Sequence, residues 1–232
     1  NEVGASFHPE AIKVQALAAY SYVVSQNEDG ITPSVYLSQQ VSDKVASAVG
    51  EVIGQAVYYN GDVAFTPYYA TSAGSTTSSE TVWGGAYPYL VAVDSSVDRS
   101  QNKFQVETKM SRDEVANRLS RVGIQATGDP STWFEILDYN EGGYVGNRRI
   151  CGQTKSSSGS TLTGRLIRET VLNLRSACFE IRYDTGTDQF TFTTYGYGHG
   201  VGMSQNGANT YASQGWSYRD ILSHYYPGTT VG

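Results

Sequence analysis

Apolar residues recur at helical spacing in the first strongly patterned segment, residues 10–26. Ala, Ile, Val and Leu repeat there without an internal Gly or Pro, and Pro9 suits the first turn. The pattern predicts a long helix. A second helix is predicted over residues 38–49, where Gly50 would end it.

The polar and apolar pattern changes after the second helix. Residues 55–59 and 62–70 resemble strands on either side of Asn60-Gly61, the dipeptide that most strongly predicts a tight hairpin. Residues 71–88 are rich in Ser, Thr and Gly, but they include Trp83 and tyrosines, which is not the composition of a linker. We expect a structured surface loop there.

The second half of the chain mixes helices and strands. Ser111 and Glu114 have capping-box spacing ahead of a helix that ends near Arg121. Hairpins rather than crossovers join the strands, which favours an α+β fold with mixed, mainly antiparallel strands. We expect one compact unit over residues 1–232 with a substrate groove. The other predicted elements are strands at residues 134–139, 144–151, 179–183 and 189–195, and helices at residues 164–173, 204–214 and 217–224.

Composition narrows the function classes. The chain has 16 Lys and Arg against 22 Asp and Glu, a net charge of −6, and no basic stripe, so a nucleic-acid partner is not expected. The 18 Tyr and 25 Gly, with few Lys and many Ser and Thr, are typical of a secreted or cell-surface protein. No apolar stretch reaches the roughly 18–20 residues that cross a bilayer. Because the chain begins with Asn1 rather than Met, the sequence predicts a trimmed N-terminus and leaves open an upstream membrane anchor.

Two cysteines, Cys151 and Cys178, are too few for a disulfide scaffold. They could pair in an oxidising compartment, or they could be two separate buried thiols. The sequence does not decide between these alternatives.

A glycine-dense loop, GYGHGVG at residues 196–202, is the most site-like motif. It matches neither glycine-rich nucleotide-binding pattern. Alternating glycines would let a ligand approach closely around His199, and the alternative is a tight turn with His199 as a hydrogen-bonded core residue. The chain has no G-x-S-x-G motif, and its other histidines, His8 and His224, have no metal-ligand spacing to His199.

Several longer motifs stand in a fixed order along the chain. The most specific is GYGHGVGMSQNGANTYA at residues 196–212. Together these motifs resemble the stage II sporulation protein D (SpoIID) domain family over essentially the whole chain. The others are Asn1-Glu2-Val3, PEAIKVQALAA at residues 9–19, YYATSAGST at 68–76, VWGGAYPYL at 82–90, LTGRLIRETV at 162–171 followed by LRSACFEI, and YRDILSHYYPGT at 218–229.

The resemblance implies a peptidoglycan lytic transglycosylase, a lyase that cleaves the bond between N-acetylmuramic acid (MurNAc) and N-acetylglucosamine (GlcNAc) and leaves 1,6-anhydro-MurNAc ends. It implies glycan strands as the ligand, other cell-wall hydrolases as partners, and a place outside the cytoplasm of a bacterium. The alternative is a non-catalytic cell-wall binding module that stimulates an N-acetylmuramoyl-L-alanine amidase, as some family members are described to do.

The family's catalytic acid falls on Glu2, which would act as general acid and then as general base. Glu10 is the rival acid, although a carboxylate in the first turn of a helix has an ordinary electrostatic explanation. We assign Lys13 to substrate positioning, with a solvated helix face as the alternative, and expect Trp83 to pack on sugar rings. The expected substrate-binding residues are Lys13, Tyr20, Tyr69, Ser72, Tyr197, His199, Ser204 and Gln205.

Two positions depart from the family pattern. Tyr20 stands where many members have Arg, so a guanidinium contact is lost or replaced by a stacking ring. Tyr69 stands where zinc-binding members have His, and no cysteine precedes Cys151. We therefore expect no metal and no cofactor.

Overall fold

The computed structural model describes residues 3–32 and 41–232. The predicted long helix is confirmed as α1 (Pro9–Glu28), with Pro9 in its first turn. The second helix, α2 (Asp43–Gly50), begins after Ser42, whose hydroxyl accepts a hydrogen bond from the Val45 amide. The prediction started this helix too early, since residues 41 and 42 precede it, and predicted residues 38–40 lie outside the described ranges.

The predicted hairpin is confirmed as β1 (Val57–Tyr59) and β2 (Asp62–Val63), which pair across Asn60-Gly61. β10 (Thr230–Val231) joins the other edge of β1. The prediction of one strand up to residue 70 was wrong. Pro67, which has no amide hydrogen to donate, interrupts it, and β3 (Tyr68–Tyr69) instead pairs in parallel with β9 (Met203–Ser204).

Residues 71–88 are ordered as predicted and include the short helix α3 (Ser79–Trp83). They are not a surface loop, however, because several of their hydroxyl side chains are fully buried. Thr76 shows how this burial is tolerated: its hydroxyl donates to the Val91 carbonyl and accepts from the Val93 amide.

The second half of the chain contains an antiparallel sheet in the order β4 (Gln105–Ser111), β8 (Gln189–Tyr195), β7 (Phe179–Asp184). The sequence did not predict β4, because most of its side chains are polar and exposed and Met110 alone is buried. β5 (Phe134–Ile136) and β6 (Arg148–Ile150) form a second antiparallel pair, shorter than predicted.

The remaining predicted helices are confirmed. α4 (Arg112–Ser120) begins at the Ser111 cap. α5 starts as an α-helix (Gly164–Leu166) and continues as a π-helix (Ile167–Leu172). α6 (Gln205–Ser213) and α7 (Tyr218–Tyr225) begin at the serine caps Ser204 and Ser217.

Two apolar cores lie on either side of a groove. One packs α1, α6 and α7 together, and the other packs the three-stranded sheet against α4, α5 and the β5–β6 pair. This arrangement confirms an α+β fold with mainly antiparallel strands. Cys151 and Cys178 are both free thiols, and burial raises the pKa of Cys178 to about 12. Within residues 3–32 and 41–232, no helix is both long and apolar enough to cross a membrane.

Candidate functional site

Two adjoining cavities form a groove between the two cores, and His199 and Arg165 line both of them. The larger has a volume of about 510 Å³ and several aromatic side chains in its lining, and the smaller has a volume of about 180 Å³ and three arginines in its lining. We call the two together the His199 groove. The larger cavity is lined by Tyr22, Phe65, Pro67, Tyr68, Trp83, Arg165, Glu169 and His199.

The glycine-dense loop carries His199 into this groove. A Cβ at Gly198 would lie 2.5 Å from the Cβ of Tyr69, and one at Gly200 would lie 2.5 Å from the ring of Tyr144. The expectation that these glycines admit a ligand is therefore wrong, because this protein's own atoms occupy the space. All four glycines have positive φ: Gly196 at 75°, Gly198 at 129°, Gly200 at 88° and Gly202 at 75°.

Both ring nitrogens of His199 are bound to backbone. Its Nδ1 accepts from the Val201 amide at 3.1 Å, so Nε2 carries the proton and donates to the Tyr68 carbonyl at 3.0 Å. Burial lowers the pKa of His199 to about 4 and keeps the ring neutral. The ring therefore has the backbone hydrogen bonds of the alternative interpretation, and it also forms part of the groove wall beside Trp83.

The two tyrosines predicted to contact substrate have different environments. Tyr69 is buried, and its ring packs behind His199 at a centroid distance of 5.1 Å. Burial raises the pKa of Tyr69 well above its ordinary value. Its ring therefore supports His199 and presents no open stacking face. Tyr197 is exposed, and the Arg175 guanidinium lies 4.2 Å from its ring centroid, outside the two cavities.

Ser72 and Ser204 are fully buried and cannot contact a ligand as predicted. The Ser72 amide donates to Oδ2 of Asp98 at 3.0 Å, and the Ser204 side chain also bonds to Asp98 while capping α6. Burial raises the pKa of the Asp98 carboxyl, and these hydrogen bonds oppose that rise. The two serines thus tie the segment that follows β3 and the start of α6 to Asp98.

Tyr20 and Gln205 also lie away from the groove. Tyr20 is 55% exposed and borders an apolar cavity between α1 and α2. The Gln205 amide donates to the Gln15 side chain at 3.3 Å, which ties α6 to α1.

Lys13 is neither a solvated residue nor a free substrate contact, since it is 8% exposed and forms two ion pairs. Its Nζ lies 2.6 Å from Oε1 of Glu10 and 2.6 Å from Oε2 of Glu51. The hydrogen bonds that Lys13 donates to the Glu10 and Glu51 carboxylates raise the pKa of Lys13. Lys13 is therefore held in place as a structural cation.

Glu10 is bound on both oxygens, because Oε2 accepts from the Tyr218 amide at 2.6 Å. Burial acts to raise its pKa, but the hydrogen bonds from Lys13 and Tyr218 outweigh it and lower the pKa. A carboxyl that stays ionised is a poor proton donor. Glu2, the other candidate acid, lies outside the described residues.

The sequence reasoning missed the polar side of the groove. Arg165, Arg168 and Glu169 on α5 and Arg148 on β6 line it. The spacing of two arginines three residues apart in GRLIRE was a usable signal, since such residues share one helix face. In the part of the chain that the structure describes, no three His, Cys, Asp or Glu side chains cluster as a metal site would require.

The whole chain is similar in sequence to known bacterial proteins. No family model matches. Over the full chain, the sequence is 35% identical to stage II sporulation protein D of Bacillus amyloliquefaciens and 33% identical to that of Bacillus subtilis strain 168, covering 71% of each. It is 28% identical to a protein of Bacillus subtilis strain 168 named amidase enhancer, of which it spans 39%. At these identities and coverages, the chain belongs to the stage II sporulation protein D family.

Proposed function

We propose that this protein is a lytic transglycosylase of bacterial peptidoglycan that cuts between MurNAc and GlcNAc, with Glu2 as general acid and base. Membership of the family supports an activity on the cell wall, because one relative is named as an enhancer of an amidase. The aromatic groove is the structural observation that carries the proposal. A glycan strand is long and presents sugar-ring faces that stack on aromatic side chains.

The proposed chemistry needs a single carboxyl group. The protonated acid gives its proton to the glycosidic oxygen as the bond from C1 to that oxygen breaks. The C6 hydroxyl of the same MurNAc then attacks C1, and the carboxylate takes the hydroxyl proton. The product carries a 1,6-anhydro ring, no water is consumed, and the acid is regenerated.

Glu10 is the poorer candidate for this carboxyl. The two hydrogen bonds to its oxygens and the adjacent Lys13 ammonium favour its ionised form, and a proton donor must be protonated when substrate binds. Because these contacts make Glu10 a poor proton donor, they support Glu2 as the catalytic acid.

The groove has two chemically different walls that suit an amphipathic sugar strand. Phe65, Tyr22 and Trp83 offer ring faces on one side, while Arg165 and Glu169 offer hydrogen bonds on the other. His199 also lines the groove, and because both of its nitrogens are occupied it presents ring carbon rather than a titrating group. We assign strand binding to these walls.

A second function is suggested by one relative's name. Amidase enhancer of Bacillus subtilis aligns with the entire chain. A non-catalytic form of the same groove would bind glycan and present it to an N-acetylmuramoyl-L-alanine amidase. Either function places the protein outside the cytoplasm, at the cell wall of a sporulating or vegetative bacterium, with other cell-wall hydrolases as partners.

Product analysis separates the two functions. Purified glycan strands are incubated with the protein, and the products are analysed by mass spectrometry. We expect fragments that end in 1,6-anhydro-MurNAc, 18 Da lighter than hydrolysed ends because water is not added. Uncut strands, together with faster release of peptides by an added amidase, would replace the lyase with the binding module.

A further inference from the structure

Three arginine side chains line the smaller cavity of the His199 groove. Arg148 and Ile150 share the inward face of β6, while Arg149 between them is exposed. Arg165 and Arg168 lie three residues apart on α5. Two elements that are distant in the sequence therefore bring three guanidinium groups to one cavity.

The acidic groups at this cavity do not balance that charge. Glu169 accepts from Arg165 Nε at 3.0 Å and from Arg168 Nη1 at 2.9 Å, so a single carboxylate serves two guanidinium groups. Arg148 donates to the backbone carbonyls of Leu162 and Val145. Over the described ranges, no carboxylate forms an ion pair with Arg148.

Asp138 is the acid whose charge acts on Arg148 from nearby, but its oxygens are already bound. Oδ1 accepts from the Asn147 amide at 2.6 Å, and Oδ2 accepts from the Asn147 side chain at 2.7 Å. Burial lowers the pKa of Arg148 to about 10, and the Asp138 charge only partly offsets that effect. The guanidinium group is thus half-buried without a carboxylate bound to it, and an anion in the cavity would compensate its charge.

We propose that Arg148, Arg165 and Arg168 form a subsite for a carboxylate group of the bound glycan. This inference rests on the proposed function, because it takes the ligand to be peptidoglycan. Planar guanidinium groups match the two oxygens of a carboxylate. The net charge of −6 would repel an anionic strand elsewhere on the protein, so a local group of cations gives the groove its attraction.

Peptidoglycan offers carboxylates of two origins. One is the lactyl group of MurNAc, which is free where no peptide is attached. The other is on the stem peptide, which consumes the lactyl carboxyl in an amide bond. GlcNAc has neither. The subsite would therefore bind the MurNAc units, while the neutral GlcNAc units stack on the aromatic side chains. This difference would orient the strand in the groove.

The test is an NMR titration of the ¹⁵N-labelled protein with small probes that contain no bond between MurNAc and GlcNAc. N-acetylmuramic acid carries the lactyl carboxylate, its methyl ester carries none, and N-acetylmuramoyl-L-alanyl-D-isoglutamine carries a peptide carboxylate instead. We expect shifts at α5 and β6 with the first or the third probe and weaker binding of the ester. The probe that binds more tightly identifies the origin of the carboxylate.

Two arginine variants and one control complete the test. Arg148→Gln should weaken binding of the tighter carboxylate probe on the order of tenfold, while Arg149→Gln, one residue away on the opposite face of β6, should not. If Arg148→Gln fails to fold, Arg165→Gln is the second variant, since that side chain is 51% exposed. Binding of the ester as tight as that of both carboxylate probes, no binding of either carboxylate probe, or unchanged affinity in the folded arginine variants would overturn the subsite.

The outcome is independent of the proposed cleavage, because the probes cannot be cut. Arginine-dependent binding by a protein that leaves glycan strands intact would retain the subsite and refute the lyase. Formation of anhydro ends by a protein that binds the ester as tightly as both carboxylate probes would retain the lyase and refute the subsite.

Discussion

The Nε2 atom of His199 lies 3.0 Å from the carbonyl oxygen of Tyr68, and this hydrogen bond ties the glycine-dense loop to β3. The second ring nitrogen is occupied by the Val201 amide within the same loop. His199 is therefore part of the groove's framework, and changing it should affect folding as well as activity.

The first prediction is that His199→Ala lowers the free energy of unfolding by about 1–3 kcal/mol, because the partly buried Tyr68 carbonyl and the buried Val201 amide lose their partner. Urea unfolding followed by circular dichroism measures the change. His8→Ala, at an exposed histidine that caps α1, should cost less, about 1 kcal/mol. Unchanged unfolding with lost activity would restore the ligand-orienting role that the sequence suggested.

The second prediction concerns pH. Because the pKa of His199 is about 4 in the folded protein and about 6.5 in the unfolded chain, the unfolded chain binds the proton first. The stability that the neutral ring contributes is fully present above pH 6.5. As the pH falls from 6.5 towards 4, the free energy of unfolding decreases by roughly 3 kcal/mol. His199→Gln lacks the titration, so the stability gap between wild type and variant should narrow over that range. A gap that is constant with pH contradicts the burial of the ring.

The third prediction compares two glycines with almost the same backbone conformation. Gly202 has φ of 75° and Gly30 has φ of 76°. A Cβ at Gly202 would clash with the Pro67 carbonyl, whereas a Cβ at Gly30 would meet nothing within 4 Å. Each alanine substitution should cost about 1–2 kcal/mol of backbone strain, and Gly202→Ala should cost a further 1–3 kcal/mol or so. Equal melting temperatures for the two variants would show that the loop is not held against β3.

The fourth prediction concerns metal. Within residues 3–32 and 41–232, no three His, Cys, Asp or Glu side chains lie close enough together to hold a divalent cation. EDTA should therefore leave both the melting temperature and the activity unchanged. Stoichiometric zinc by elemental analysis, lost together with activity, would contradict this.

Local signals account for what the sequence predicted well. α1, α4 and α7 were located because apolar periodicity and capping residues act within a few positions. β4 was missed because its partner β8, more than 70 residues later, supplies the pairing that its polar residues do not indicate.

The site was predicted less well for the same reason. Ser72 and Ser204 carry the right chemistry for sugar hydroxyls, but burial around Asp98, which comes from tertiary packing, removes them from any ligand. Arg148 and Arg165 meet only when β6 packs beside α5. The alternating glycines pointed to a close approach, and the structure shows that the approaching atoms belong to the protein itself.

Mass spectrometry of the glycan-strand products from wild type, Glu2→Gln and Glu10→Gln shows which carboxyl group cleaves the strand. Glu2→Gln should lose at least about 10²- to 10⁴-fold of the anhydro product, because the amide keeps the shape but has no proton to transfer. Glu10→Gln should retain activity in its folded fraction, since the Glu10 carboxylate is bound to Lys13 and the Tyr218 amide. Full activity of Glu2→Gln with an inactive but folded Glu10→Gln would contradict the account and transfer the catalytic role to Glu10.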